Sequence, residues 1–372
     1  MGPVHIIVGN SEDIHAVAVT WALERAGACV VLWDGIGVPD SSVITHFPTS
    51  AGSDLRMGKE RINDVRSLWF RRPVPYQPLA GLDPVSLKFT RNELQSAHGS
   101  LAAVLRSKAS FIVGDWHPID AGMKGLQLDA AVACGFRIPD TVITNDPAVV
   151  ADFRARQENL LVKHFTPHFW SSEQNRKCWQ CGPVVIPRDR KIDDASIRAC
   201  PAIYQTLVNK AFDLRITVIG NRIFSARIVG HNGTALLDWR PSSVKPGELR
   251  MDWYNVDART RTSINALMEK LDLRYGCIDL AVDLQGNVFF FEVNTGGQFL
   301  FIDDHIPEMN LLGEMAGLLL AGSSDYQALP WNVANLPEFE SSDRYVEFCA
   351  ATQRFRQNDR VITRVDQDMV AI

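Results

Sequence analysis

The sequence predicts an α/β chain built from several units, and three observations lead there. The chain opens with a strand, a helix and a second strand. Its 372 residues exceed what one simple core organises. Two hairpins stand out in the second half.

Val4 to Val8 is a short β-branched run. Gly9-Asn10-Ser11 turns it into a helical pattern through Ala16, Val19, Leu23 and Ala26. Gly27 ends that helix, and Cys29 to Trp33 reads as the next strand. Ser67 to Phe70 is a further strand, closed by Arg71-Arg72-Pro73 and a proline-rich loop through Pro78. A helix from about Pro84 to Ser107 and a strand from Phe111 to Val113 follow. Asp120 to Cys134 reads as a helix stopped by Gly135, and Ile138-Pro139 opens an extended stretch.

Leu160 to Val162 forms a strand leading into Lys163. The next twenty or so residues read as irregular, up to a strand at Val184 to Ile186. Tyr204 to Val208 is apolar and extended. The hairpins pair Leu214–Val218 with Ile223–Val229, and Ile278–Val282 with Val288–Val293. Beyond Gly322 the periodicity weakens, as in an appended tail. The expected units are 1–119, 120–200, 201–322 and 323–372.

The bulk numbers exclude several classes. A net charge of -5 gives no global electrostatic case for nucleic acid or a membrane surface. No stretch approaches the ~18 apolar residues of a spanning helix. Seven cysteines, scattered and odd in number, argue against a disulfide framework and for free thiols in the cytoplasm. Cys178 and Cys181 have zinc-like spacing but no second pair beside them. His117, His164 and His168 read as structural or loop residues.

The stretch Cys277 to Asn294 carries the most chemistry. With Gln285-Gly286 as a two-residue turn, Asp279 faces Glu292, Ile278 faces Val293, Leu280 faces Phe291 and Val282 faces Phe289. One face is then apolar. The other carries Asp279, Glu292 and Asn294, an oxygen-only set that suits Mg²⁺. The competing reading is a solvated polar face on an edge hairpin. A turn one residue longer undoes the pairing unless a bulge restores it.

In the other hairpin, a Gly220-Asn221 turn puts Arg215 and Arg227 on opposite faces. Both suit a phosphate site, or plain surface charge. Lys163, taken alone, reads as an ordinary strand-end lysine. Lys210 follows a strand whose backbone is free to meet an adenine edge.

Taken together, Asp213-Leu-Arg215, Arg227, Asp279 and Glu292-Val-Asn294 resemble the ATP-grasp superfamily, which includes the ribosomal-protein glutamate ligases. Trp69-Phe-Arg-Arg-Pro73, Ile138 to Asp146, Asp238-Trp-Arg240 and Glu292 to Gln298 resemble, more specifically, the microviridin-type peptide ligases (graspetide synthetases). The likeness covers roughly residues 1–320. It implies an α+β ATP-grasp architecture: an N-terminal β-α-β pre-ATP-grasp domain, then two subdomains clamping ATP between sheets.

It also implies an ATP- and Mg²⁺-dependent ligase that joins side-chain carboxylates of a ribosomal precursor peptide to hydroxyls or amines. Such a protein is expected to be a homodimer. Lys163 and Lys210 then serve the nucleotide, with Gln205, Thr206, Leu207 and Val208 as the adenine hinge. Asp279, Glu292 and Asn294 hold Mg²⁺. Arg215 and Arg227 stabilise the transferring phosphate, and Arg240 holds the acceptor carboxylate. The alternatives are an amino-acid or dipeptide ligase and a silent peptide-binding homologue. The sequence departs from the family in three places: Gln298 is followed by Phe299 and not Trp, the loop after Lys163 is aromatic, and the tail is long.

Overall fold

The computed structural model describes residues 3–35, 44–50, 52–57, 60–62, 64–72, 81–114, 122–165, 168–172, 177–240, 247–356 and 361–364. The opening unit contains β1 (Val4–Val8), α1 (Ile14–Arg25), β2 (Cys29–Trp33), β3 (Ile44–Thr49), β4 (Gly52–Met57), β5 (Glu60–Arg61), β6 (Val65–Phe70), α2 (Pro84–Lys108) and β7 (Ile112–Val113). Its main sheet is parallel, in the order β2-β1-β6-β7, while β3, β4 and β5 form a small antiparallel sheet. The continuous apolar run of β1 follows from this, because a parallel strand is covered on both faces. Asp13 starts α1 as its N-cap, accepting from the amides of His15 and Ala16.

The middle of the chain gives α3 (Lys124–Ala133), β8 (Thr141–Thr144), α4 (Pro147–Ala155), β9 (Asn159–Lys163), β10 (His168–Ser172), β11 (Lys177–Cys181), β12 (Val184–Pro187), α5 (Asp194–Ala199) and β13 (Ala202–Thr206). The order β12-β9-β13-β8 makes an antiparallel sheet whose core is Phe153, Leu160, Val162, Ile186 and Tyr204. The segment expected to be irregular after Lys163 forms the antiparallel pair β10–β11 instead. The mixed polar and aromatic sequence there shows no clean alternation to read. The proline-rich loop at 73–78, His117 and the start of the helix expected from Asp120 lie outside the described residues.

The third group is β14 (Lys210–Ile219), β15 (Arg222–Gly230), β16 (Leu249–Trp253), α6 (Ala258–Lys270), β17 (Tyr275–Asp283) and β18 (Val288–Asn294), with the sheet order β16-β15-β14-β17-β18. Helices α3 and α6 cover one face, burying Leu128, Ile264 and Leu267 against Leu214, Ile216, Ile278 and Leu280. Helix α3 therefore belongs with this sheet, although it precedes the central one in sequence.

The chain ends in α7 (Leu300–His305), α8 (Leu311–Ala321), α9 (Leu336–Glu340), α10 (Asp343–Arg356) and β19 (Val361–Arg364), the last parallel to β11. The stretch after Gly322 is not a loose appendage. Phe339 is fully buried and lies 5.5 Å from Trp21 of α1. Arg344 reaches Glu24 at 2.8 Å, and Arg25 reaches Glu338 at 2.9 Å. One apolar core runs from Ile7 and Leu23 through Phe299 and Leu312 to Phe339. Short helices anchored by single aromatic residues carry little periodicity, which is why this packing escaped the sequence pattern.

Candidate active site

Asp279 does face Glu292, but by a different route from the one expected. The turn is one residue longer: Asp283 pairs with Asn287, and Leu284, Gln285 and Gly286 form the loop. Gly286 takes a left-handed φ of 82°, the place for glycine in a three-residue hairpin loop. The Asp283 carboxylate fixes the loop by accepting from the amides of Gln285 and Asn287. Leu280 consequently pairs with Phe290 and Val282 with Val288, not with Phe291 and Phe289. A bulge between Asp279 and Leu280 on one strand, at Phe291 on the other, then restores the pairs Asp279–Glu292 and Ile278–Val293. Phe290 and Val293 stay in the core, while Phe291 and Glu292 both leave it.

The oxygen-bearing face is assembled around this bulge. Asn294 Nδ2 donates to Asp279 Oδ2 at 3.2 Å. Arg215, opposite Asp279 in the β14–β17 ladder, donates from Nη1 to Asp279 Oδ1 at 2.8 Å and from Nη2 to the Gln298 carbonyl at 3.0 Å. Its guanidinium lies 5.8 Å from the Trp239 ring. Glu292 meets Lys124 Nζ and Arg240 Nη1, each at 3.1 Å. Arg240 is itself held by Asp238 at 2.8 Å. Burial alone would raise the Glu292 carboxyl, but Lys124, Arg240 and Lys163 outweigh it and lower its pKa to about 2.

Lys163 reaches this face from the other sheet. Its Nζ lies 4.4 Å from the centre of the Phe291 ring, so the bulged residue is where the two sheets meet. Burial lowers the Lys163 pKa to about 8, with Glu292 pulling the other way. Lys210 binds both oxygens of Asp213 at 2.8 Å. Burial nevertheless pushes Asp213 up to about 6, against the pull of Lys210.

Strand β13 ends at Thr206, leaving Leu207 and Val208 beyond the ladder. The Gln205 amide donates to Thr141 Oγ1 at 2.9 Å. Buried Gln205 Oε1 and Thr206 Oγ1 have no hydrogen-bond partner, which suits a polar ligand edge at this strand end.

Lys163, Arg215, Arg240, Asp279, Glu292 and Asn294 thus come together, and Arg227 does not join them. Arg227 pairs with Leu214 in an unbulged register, which turns it to the helix-covered face, where it stacks 4.7 Å from the Phe212 ring. Lys124 escaped the sequence reading. It opens α3, a helix whose N-cap Met123 makes no side-chain hydrogen bond, and a cation there opposes the helix dipole. That conflict was the available signal. Among the described residues no three His, Cys, Asp or Glu side chains cluster, so the set Asp279, Glu292 and Asn294 depends on its amide. Its all-oxygen chemistry fits Mg²⁺.

Two antiparallel sheets thus meet, with a lysine from one reaching the carboxylate face of the other. The fold is similar to that of solved ATP-grasp ligases. A RiPP-associated ATP-grasp ligase from Chryseobacterium gregarium, in complex with ADP and a leader and core peptide, is 21% identical with a TM-score of 0.75, and the match covers 88% of this chain and all of that one. The macrocyclase MdnC of Microcystis aeruginosa, bound with precursor peptide MdnA, is 22% identical with a TM-score of 0.70, over 86% of this chain and all of that one. The ATP-grasp ligase PsnB, complexed with a phosphomimetic variant of a minimal precursor, Mg and ADP, is 18% identical with a TM-score of 0.68, over 87% and 99% of the two chains. No family model and no curated protein matches the sequence.

Proposed function

We propose that this chain is an ATP-dependent ligase that crosslinks a ribosomal precursor peptide, joining an Asp or Glu side chain to a Ser/Thr hydroxyl or a Lys amine. The observation that carries the reading is the Asp279–Glu292–Asn294 face set against Lys163 from the opposing sheet. The fold shared with structures that hold ADP and precursor peptides supports it.

In the reaction, a substrate carboxylate oxygen attacks the γ-phosphorus of ATP. The bond from that phosphorus to the β,γ-bridging oxygen breaks, and ADP leaves. The hydroxyl or amine then attacks the acyl carbon of the acyl phosphate. The carbon–oxygen bond to phosphate breaks, and phosphate departs as the nucleophile gives up its proton to solvent.

Lys163 binds the nucleotide phosphates, Gln205, Thr206, Leu207 and Val208 present the adenine hinge, and Lys210 lies beside the nucleotide. Asp279, Glu292 and Asn294 would hold Mg²⁺, which would supply neutralisation of phosphate charge. Arg215 stabilises the transferring phosphate. Arg240, which meets Glu292, receives the acceptor carboxylate. Arg227 lies outside this set, on the reverse of its sheet. Preorganised charge and position, not a side-chain nucleophile, supply the catalysis.

We place the protein in the cytoplasm, a reading supported by five free cysteines among the described residues. No helix among them is long and apolar enough to cross a membrane. A homodimer is supported by exposed Leu82, Val85 and Phe89 at the start of α2.

ADP release with Mg²⁺ and synthetic peptides rich in Thr/Glu or Lys/Asp tests the assignment. Peptide products lighter by one water per bond support it. ADP released only with free amino acids points to a small-molecule ligase, and no ADP under any condition points to a binding module.

A further inference from the structure

The loop after β18 is held from outside its own sheet. Arg71, at the end of β6 and with a side chain fully shielded from solvent, donates from Nη1 to the carbonyls of Gly296 and Gly297, the latter at 2.8 Å. Its Nε lies 3.4 Å from Asp13, the N-cap of α1. His15, two residues on, accepts from the amides of Phe299 at 2.9 Å and Leu300 at 3.2 Å through Nε2. An imidazole nitrogen that accepts twice carries no proton, so the ring proton sits on Nδ1, which faces Asp13 Oδ1 at 3.4 Å. The Phe299 ring closes on His15 edge-on at 4.8 Å.

What this loop does next is specific. The Gln298 carbonyl takes Nη2 of Arg215, the residue whose other arm is on Asp279. Gly297 packs so tightly that a Cβ there would collide with Cys277 and come within 3.1 Å of Arg215 Nη2. The Tyr275 hydroxyl donates to the Gly297 carbonyl at 2.7 Å. The loop therefore has one placement, with the opening unit on one side and Arg215 on the other.

We propose that Asp13, His15 and Arg71 are positioning residues through which the opening β-α-β unit sets Arg215 for the transferring phosphate. The role of Arg215 rests on the function proposed above; the clamp itself does not. Arg215 acts on charge that moves during reaction, so loosening it lowers kcat more than it raises KM for ATP.

Two substitutions at His15 test its half of the clamp. H15Q places an acceptor near the position of Nε2, and H15N places polar atoms only near Nδ1. Hydrogen exchange of the 295–302 segment should be about tenfold faster in H15N and near wild type in H15Q, the difference expected for one net hydrogen bond. ADP release in H15N should show kcat lowered about tenfold with KM for ATP within about twofold, and H15Q should restore kcat. Equal exchange in the two variants, or an H15N kcat like wild type, overturns the proposal. Should wild type release no ADP, the functional reading fails while the exchange comparison still decides the clamp. If H15N does not fold, R71K against R71M gives the same comparison from the other side: R71K retaining protection supports the clamp, and equal exchange in both refutes it.

Discussion

Replacing Glu292 by glutamine removes one of the two carboxylates of the oxygen face without changing its shape. Its side chain is 16% exposed and sits between Lys124 and Arg240, each 3.1 Å away. A carboxyl whose pKa falls from 4.5 to about 2 is favoured in its charged form by about 3 kcal/mol. That figure bounds the stability lost. Lys124 and Arg240 are 25% and 53% exposed and regain water when their partner goes, so the net loss is about 1–2 kcal/mol.

Under the proposed function the effect on turnover is larger, because a carboxylate assigned to Mg²⁺ is lost where phosphate charge must be neutralised. ADP release falls by at least about a hundredfold. The sign with pH follows from the lowered pKa: the wild-type advantage is fully present above about pH 4.5 and disappears as pH falls towards 2. Chemical unfolding across that range, with ADP release at neutral pH, measures both. E292Q turnover within about threefold of wild type would refute the metal assignment, whatever its stability.

Three further outcomes are expected. R215M should lose at least about a hundredfold in ADP release while R227M stays within about fivefold, since only Arg215 lies on the carboxylate face; equal losses contradict the register argument. His15 is neutral in the fold, with its pKa lowered from 6.5 to about 4 by burial and by Arg71. The fold therefore loses up to about 3 kcal/mol as pH drops from 6.5 to 4 and none above that range, and H15Q should show a flatter urea-unfolding profile over it; parallel profiles would count against a neutral imidazole. F339A should destabilise by about 3–5 kcal/mol by emptying the space beside Trp21, and a loss below about 1 kcal/mol in urea unfolding would mean the helices after Gly322 are only loosely attached.

The parts legible in the sequence were those set by short-range pattern. The opening strand, helix and strand, and the face joining Asp279, Glu292 and Asn294, follow from periods of 3.6 and 2 with glycine punctuation. The turn was misread by one residue because a Gln-Gly pair also fits a longer loop with glycine in the left-handed position. The pairing survived only through the bulge at Phe291. Lys124 was missed because its partner Glu292 lies far along the chain on another element, and only its misfit at a helix N-terminus marked it. Phe339 against Trp21 is the same case in the core: one aromatic on a five-residue helix leaves no period to read.

That bulge also fixes what can be exchanged in this hairpin. The ladder near the turn and the ladder through Asp279 run out of phase by one residue. Carried without interruption, the turn's phase would bring Phe291 opposite Asp279 and drive the Glu292 carboxylate into the apolar layer under Leu128 and Phe136. A chimaera joined between the turn and Phe291 must therefore inherit both offsets from one parent. Deleting Phe291 alone would keep the two carboxylates opposed and remove only the ring beside Lys163, separating carboxylate geometry from contact between the sheets.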